Sequence, residues 1–369
     1  MKKAIVISAV NLRKGGTLTI LRDCLSFLSE SKYPEQYRII ALVHDKKLAF
    51  YKNIEYVEFP NTIKSWGRRL WCEYVTMYFL SKKISHVYLW LSLHDTTPNV
   101  VSEKRAVYCQ TSFPFMKPKW SDLLFDYKIV LFSFFTRFAY RINIMKNDYI
   151  VVQTEWMKKN LAGMFGLLED RFIVAPPEQK SYVIHASNSK KENCFIFFFP
   201  STPDCHKNFE VLCKAAELLE MEIGKGKFKV VITINGRENR YSRWLYNKWK
   251  NVDSIDFKGF LSKYDVYTYY SIADCLVFPS RIETWGLPIS EFSFFKKPLI
   301  LADLPYAHET AQGIDNVCFF NPYESLELKN IMKKIIFEDY EQFNLIPKIQ
   351  RKGLYVNTWK DLFEKLVNN

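Results

Sequence analysis

The chain of 369 residues lacks the short signatures that would fix a chemistry at once. None of its eight cysteines forms a Cys-x-x-Cys pair, so a zinc site is not indicated. They are scattered, at Cys24, Cys72, Cys109, Cys194, Cys205, Cys213, Cys275 and Cys318. Several lie in apolar runs, where a reduced thiol packs as a small hydrophobe. With no secretory signal, this usage points to a reducing cytoplasm. No Asp-x-Asp pair and no His-rich or carboxylate-rich cluster is present, so no catalytic metal is expected. Charge on a leaving group would then fall to lysine, arginine and backbone dipoles. Neither Gly-x-Gly-x-x-Gly nor Gly-x-x-x-x-Gly-Lys-Ser/Thr occurs, which leaves a standard dinucleotide or P-loop site unsupported. Long runs of one charge are missing too. That weakens a nucleic-acid reading, although the net charge is +13 and the pI about 9.1. The apolar run Ala4 to Val10 is too short for a signal peptide, has no small-residue cleavage site after it, and reads as a first buried strand.

What is present describes a globular α/β protein. Hydrophobic residues make up 48% and charged residues 25%, and at 17% aromatic content large rings must fill much of the interior. Apolar runs at Ala4–Val10, Arg38–Val43, Val87–Leu91 and Tyr149–Thr154 alternate with helical patterns, which implies a parallel sheet covered by helices. The pattern restarts with Cys194–Phe199, Lys229–Ile234, Cys275–Phe278 and Leu299–Ala302. The polar stretch Ser187–Asn193 reads as a connector, so the boundary falls between about 177 and 193, dividing the chain into residues 1–180 and 181–349. Two doubly wound domains are expected face to face, with a ligand between them. Residues 129–141 form the nearest candidate for a membrane span, but Arg137 and Arg141 interrupt it and it falls short of about 18 to 20 clean apolar residues. It reads either as a core helix of an aromatic-rich protein or as a helix lying in a membrane interface.

The most informative stretch is Pro279-Ser280-Arg281-Ile282-Glu283-Thr284-Trp285-Gly286-Leu287-Pro288-Ile289-Ser290-Glu291. A strand ending at Pro279 places Glu283 in the following loop. Gly286 lets backbone approach a ligand. Pro288 suits a helix's first turn, which puts Glu291 in the second turn. Ligands of open α/β sheets bind at such carboxyl ends, and free N–H groups at a helix start favour an anion. Two carboxylates could flank a sugar bond or grip vicinal sugar hydroxyls; they could also be solvated acids favoured by the helix dipole. Gly15-Gly16 follows the first strand and could approach a phosphate or form a tight turn. Lys207 stands at a helix start where its ammonium could reach a diphosphate, or it is a surface lysine. His94, after the strand Val87–Leu91, could position a hydroxyl or relay a proton, or be tied into loop hydrogen bonds.

With these residues in view, the chain resembles a retaining glycosyltransferase of family 4, with the GT-B fold of two Rossmann-like domains. The carrier is Glu283-x7-Glu291, which is similar to the family's Glu-x-Phe-Gly-Leu-x-x-x-Glu signature with Trp285 in the Phe place. Gly15-Gly16, 151–157, 174–177, His206-Lys207-Asn208, Lys258-Gly259-Phe260 and Ala302–Pro305 follow in the family's order. Thr358-Trp359-Lys360 is similar to the C-terminal helix, about 350–369, that crosses back onto the first domain. The resemblance implies that Glu291 holds the ribose of a nucleotide sugar and that Glu283, with the backbone of Trp285, Gly286 and Leu287, holds its sugar. Lys207 would neutralise the diphosphate, Gly236 and Phe260 would border the base, His94 would face the sugar, and Gly15-Gly16 would lie near the phosphates. The family often carries an arginine about five residues before the lysine; Ser201 and Thr202 stand there, leaving Arg281 or Arg237 as substitutes.

The implied activity is transfer of a sugar from a nucleotide-diphosphate donor to an acceptor hydroxyl with retention, and it needs no cofactor or metal. The acceptor would be lipid-linked or a saccharide, in O-antigen or capsule synthesis. The protein would sit in the cytoplasm, with peripheral contact at the inner face of the cytoplasmic membrane and no nucleic-acid partner. The alternatives are a sugar-nucleotide isomerase or hydrolase on the same fold, or a non-enzymatic basic module binding lipid or nucleic acid.

Overall fold

Strand β1 (Ala4–Ala9) is buried at every position, with Ile5 and Ile7 in one core cluster and Ala4 and Val6 in another. A strand covered on both faces has no polar side to show, so its sequence is continuously apolar rather than alternating. In the computed structural model, which describes residues 2–178, 194–350 and 353–368, this logic recurs in each half. Six more strands follow before residue 178: β2 (Arg38–Val43), β3 (Glu55–Glu58), β4 (Val87–Ser92), β5 (Lys104–Tyr108), β6 (Tyr149–Val152) and β7 (Phe172–Val174). The next six are β8 (Phe195–Phe199), β9 (Phe228–Ile232), β10 (Ile255–Phe257), β11 (Cys275–Phe278), β12 (Leu299–Ala302) and β13 (Val317–Phe320), and β14 (Leu354–Tyr355) comes last.

The strands form two sheets, and every pairing of named strands is parallel. The first has the order β3-β2-β1-β4-β5-β6-β7-β14 and the second the order β10-β9-β8-β11-β12-β13. In both, the winding direction reverses beside the first strand: between β1 and β4, and between β8 and β11. Ligands of such sheets bind outside the carboxyl ends at this reversal. The second core is built on aromatics, with Phe197, Phe198 and Phe199 of β8 all buried and Phe199 against Phe209 at 4.6 Å.

The chain divides into one unit of residues 1–115, 133–178 and 351–369 and another of 116–132 and 179–350. The connector expected at 187–193 lies outside the described residues. The C-terminal segment belongs to the first unit: β14 pairs with β7, and the helix Trp359–Asn368 buries Trp359, Leu362, Phe363, Leu366 and Val367 there, with Phe363 stacked on Phe27 at 5.7 Å. One division departs from the sequence reading, because residues 116–132 pack with the second unit rather than the first. The cause is a buried ion pair and an aromatic contact. Asp122 accepts from Arg281 Nη2 at 2.6 Å, and Phe125 lies 4.8 Å from the Trp244 ring.

The helix Trp120–Arg141 kinks at Asp126, where φ is −150° and ψ is 78°. The core-helix reading of 129–141 is corrected, since Leu131, Phe134, Phe135 and Phe138 are exposed. No helix among the described residues is long and apolar enough to cross a membrane.

Candidate functional site

The loops leaving β8 and β11, the two strands at the reversal of the second sheet, meet each other. Asn208 joins them. It takes a left-handed conformation (φ 61°) before the helix Phe209–Ile223, and its buried side-chain amide donates to the carbonyls of Pro279 and Pro322 at 3.1 and 2.7 Å. Arg281 N–H donates to the His206 carbonyl at 2.8 Å. This staple brings Lys207 onto Glu283, Nζ to Oε1 at 2.5 Å, each side chain about 15% exposed (15% and 14%). Two charges in a mostly enclosed position, both reachable from the strand ends, form a polar pair that a ligand can share.

Gly286 takes φ 85°, and a Cβ there would come within 3.1 Å of Ile289 Cδ1, so the turn into the helix Leu287–Ser293 requires glycine. Trp285 is buried and structural. Its indole N–H donates to Ser290 Oγ at 3.2 Å, and its carbonyl accepts from the Thr310 hydroxyl. Glu291 projects from the helix onto the Tyr270 hydroxyl, which donates to it at 3.1 Å. Burial pushes the Glu291 carboxyl above its usual range, against the opposing pull of the Tyr270 hydrogen bond. A carboxylate has about four acceptor sites, so one kept partly desolvated beside the Tyr270 and Tyr267 hydroxyls retains acceptor capacity for hydroxyls of a ligand.

The remaining second-unit residues are placed as follows. Gly236 (φ 84°) lies against Tyr246, whose Cβ is 2.6 Å from where a glycine Cβ would stand, and both the Asn235 and Gly236 N–H groups donate to Glu238. Arg237 is exposed, and Phe260 is 88% exposed on the loop after Gly259. Arg281 departs from its expected role. Its side chain is 4% exposed and its Nη2 is held by Asp122 and the Cys205 carbonyl, so the guanidinium anchors residues 116–132 instead of standing open to a phosphate.

In the first unit, Gly15-Gly16 opens the helix Gly15–Glu30 rather than forming a separate loop; Gly15 has φ 63°, and nothing lies within 4 Å of where a Cβ on it would stand. His94 follows β4 and is buried at 1%. Its Nε2 contacts Ser8 Oγ at 2.8 Å and its Nδ1 contacts Thr96 Oγ1 at 3.0 Å, with Glu73 at 3.4 Å. Arg69 in turn donates to Glu73 at 2.7 Å and to the His94 carbonyl at 3.0 Å. Burial lowers the His94 pKa to about 4, despite the nearby Glu73 carboxylate, so the ring is neutral at pH 7. Both ring nitrogens are thus engaged inside the unit. The resemblance placed this ring against a sugar, while the residue itself left loop hydrogen bonds open as the alternative; the structure encloses it in a network that fixes the turn after β4. Glu73 sits on a single π-helical turn, Cys72–Thr76, a geometry frequent at functional sites.

Four contributors escaped the sequence reading: Asn208 as the staple, Tyr270 behind Glu291, Thr310 behind Trp285, and Asp122 on Arg281. Only Asn208 carried a local signal, as an Asn directly before a helix. The others come from distant elements that no motif spacing connects.

Residues 181–350 match the family model described as Glycosyl transferases group 1. The chain is 23% identical over 203 residues to the O-antigen chain mannosyltransferase RfbU of Salmonella typhimurium, covering 54% of this chain and 54% of that protein. It therefore spans about half the length of that curated relative. Among solved structures, the lipopolysaccharide outer core galactosyltransferase WaaB in its apo form is similar with a TM-score of 0.61, 12% identity and 99% of each chain covered. HepE of Anabaena in complex with UDP-glucose is similar with a TM-score of 0.60, 13% identity, and 92% and 91% of the two chains covered. The fold is GT-B: two parallel-sheet α/β domains.

Proposed function

We propose that this chain is a retaining glycosyltransferase that moves a sugar from a nucleotide-diphosphate donor to an acceptor hydroxyl in surface-polysaccharide synthesis, with a lipid-linked acceptor. The observation that carries the reading is the Lys207–Glu283 pair at the carboxyl ends of β8 and β11, with Glu291 held half-desolvated in the helix that follows. The relatives' printed activities, a mannosyltransferase of O-antigen chains and a galactosyltransferase of lipopolysaccharide core, support the substrate class.

In this reading the donor's diphosphate supplies the negative charge that Lys207 now finds in Glu283. Exchange of that partner releases Glu283 to accept from hydroxyls of the donor sugar, while Glu291 accepts from the ribose. As the bond from the anomeric carbon to the diphosphate oxygen opens, charge grows on the phosphate. Lys207 and backbone N–H groups stabilise it. A phosphate oxygen takes the acceptor proton as the acceptor oxygen bonds to the anomeric carbon, and the nucleoside diphosphate leaves. Arg281 takes no part, and His94 acts as a positioning residue. No metal is required.

The test is a melting-temperature panel of nucleotides and nucleotide sugars, because a ligand that binds only the folded state raises the transition. At about one hundred times its Kd a donor should raise it by roughly 5 °C. The substitution Glu291→Gln should remove most of that shift. Burial raises the Glu291 pKa, so its ionised form costs the folded state stability above that pKa, and the cost is relieved as the pH falls through it. The neutral amide should therefore melt no lower than the parent at pH 7. If no member of the panel binds or is consumed, the proposal is wrong.

A further inference from the structure

The second half of the helix Trp120–Arg141 is inside out. Toward the interior it turns Ser133, Thr136 and Tyr140, all buried. Toward solvent it turns Tyr127, Leu131, Phe134, Phe135 and Phe138, and the chain just beyond adds Ile142 and Met145. Within the helix, Tyr127, Leu131, Phe134, Phe135 and Phe138 recur at three- and four-residue steps, so they share one face. A surface helix ordinarily buries its apolar stripe and wets its polar one. Here three phenylalanines remain more than half exposed, at 51, 58 and 52% for Phe134, Phe135 and Phe138. They are already assembled: Phe134 lies 5.4 Å from Phe135 and 5.6 Å from Phe138, and the Arg137 guanidinium stands 5.5 Å over the Phe134 ring.

Charge along the same stretch has one sign. Between Tyr127 and Asn147 the chain carries Lys128, Arg137, Arg141 and Lys146 and no Asp or Glu, and all four cations are exposed. A second copy seated on this face would set four cations against four, which opposes self-association. An anionic lipid surface complements both halves of the pattern. Its headgroups take the cations, and the acyl boundary takes the rings. The cations also keep the helix from spanning, in line with no helix among the described residues being long and apolar enough to cross.

We propose that residues 127–146 form a membrane-docking face that lies in the plane of an anionic bilayer, with the Phe134–Phe135–Phe138 cluster inserted and Lys128, Arg137, Arg141 and Lys146 at the phosphate level. This deepens the membrane part of the proposed function and rests on that reading only for why a bilayer would be the workplace. The donor residues Lys207, Glu283 and Glu291 are no part of it.

The experiment is co-sedimentation of the full chain with phosphatidylcholine vesicles, alone or containing about one-third phosphatidylglycerol. Parent protein should bind the anionic vesicles, bind neutral ones weakly, and be released progressively by salt. The double substitution Phe134→Ser/Phe138→Ser should lower the bound fraction roughly tenfold, and Arg137→Gln/Arg141→Gln should both weaken binding and flatten its salt dependence. Both variants should keep the parent melting temperature and the donor-induced shift, so failure here and failure of the transferase reading are distinguishable. If the serine variant is unstable, the arginine variant, which leaves the rings in place, decides alone. Absence of binding by the parent, equal binding by the variants, or a dimer that the serine substitutions turn into a monomer would each overturn the assignment.

Discussion

Lys207 and Glu283 show what a single residue can be asked to do in two states. Without a ligand they satisfy each other at 2.5 Å in a position where each is about 15% exposed (15% and 14%). Removing one partner leaves the other charge half-buried, whereas removing both leaves neither. The single changes Lys207→Met and Glu283→Gln should each lower stability, and the double change by less than their sum, with a coupling of about 1–2 kcal/mol in a denaturation cycle. Additive losses would mean that the contact carries no energy. Donor binding should respond differently. Lys207→Met should abolish the donor-induced rise in melting temperature, because among the described residues of the β8 and β11 loops the other cation, Arg281, is buried on Asp122. Both residues were legible from their neighbours in sequence: a lysine at a helix start, and a glutamate in a Gly-containing loop after an apolar strand. Their contact was not, because it depends on Asn208 bridging to Pro279 and Pro322, which lie far along the chain. Arg281 was misread for the same reason. Its partner Asp122 is 159 positions away, and no local pattern names it.

Among the elements, the long buried strands could be read because burial on both faces makes them continuously apolar, as in β1, β4 and β8. The strands missed were β3, β5, β7, β10, β13 and β14. The sequence of β3, Glu-Tyr-Val-Glu, lies at a sheet edge with both glutamates exposed, and β10 has three residues with an Asp in the middle. Such short edge segments carry too little periodicity to separate from loop. The segment 116–132 was assigned to the wrong unit, since its own sequence is apolar and aromatic enough to pack against either core. What decides is the ion pair of Asp122 with Arg281, at 2% and 4% side-chain exposure. Arg281 Nε and Nη1 find no hydrogen-bond partner, so the guanidinium leans heavily on that one carboxylate. Asp122→Asn should therefore destabilise the second unit by about 3 kcal/mol in chemical denaturation. Asp122→Leu combined with Arg281→Met should recover much of the loss and keep the donor-induced shift. A double variant as unstable as the single one would show that the pair is not what holds the segment.

For the whole molecule, acid stability should be set in part by the enclosed His94. Its pKa in the folded protein is about 4, against 6.5 for a free imidazole, because burial disfavours the cation. The unfolded chain thus takes up the proton first. The contribution is fully present above pH 6.5 and is lost as the pH falls from there toward 4, by about 3 kcal/mol in total. In His94→Gln the melting temperature should fall less steeply across that interval, whatever its value at pH 7. An unchanged slope would mean that other groups govern acid unfolding. The sheet order, with its reversal beside the first strand of each half, was legible as α/β alternation, but the strand order was not, because order is a property of pairing and no single strand encodes it.

The return of the last residues to the first unit constrains how the protein can be made. β7 finds its outer neighbour, and Phe27 its stacking partner Phe363, only in residues beyond 350. A ribosome delivers these after the entire second sheet. Of these two units, the one whose strands emerge first is therefore the last to be finished, and it must wait with an open strand edge and an uncovered aromatic surface while the other is being translated.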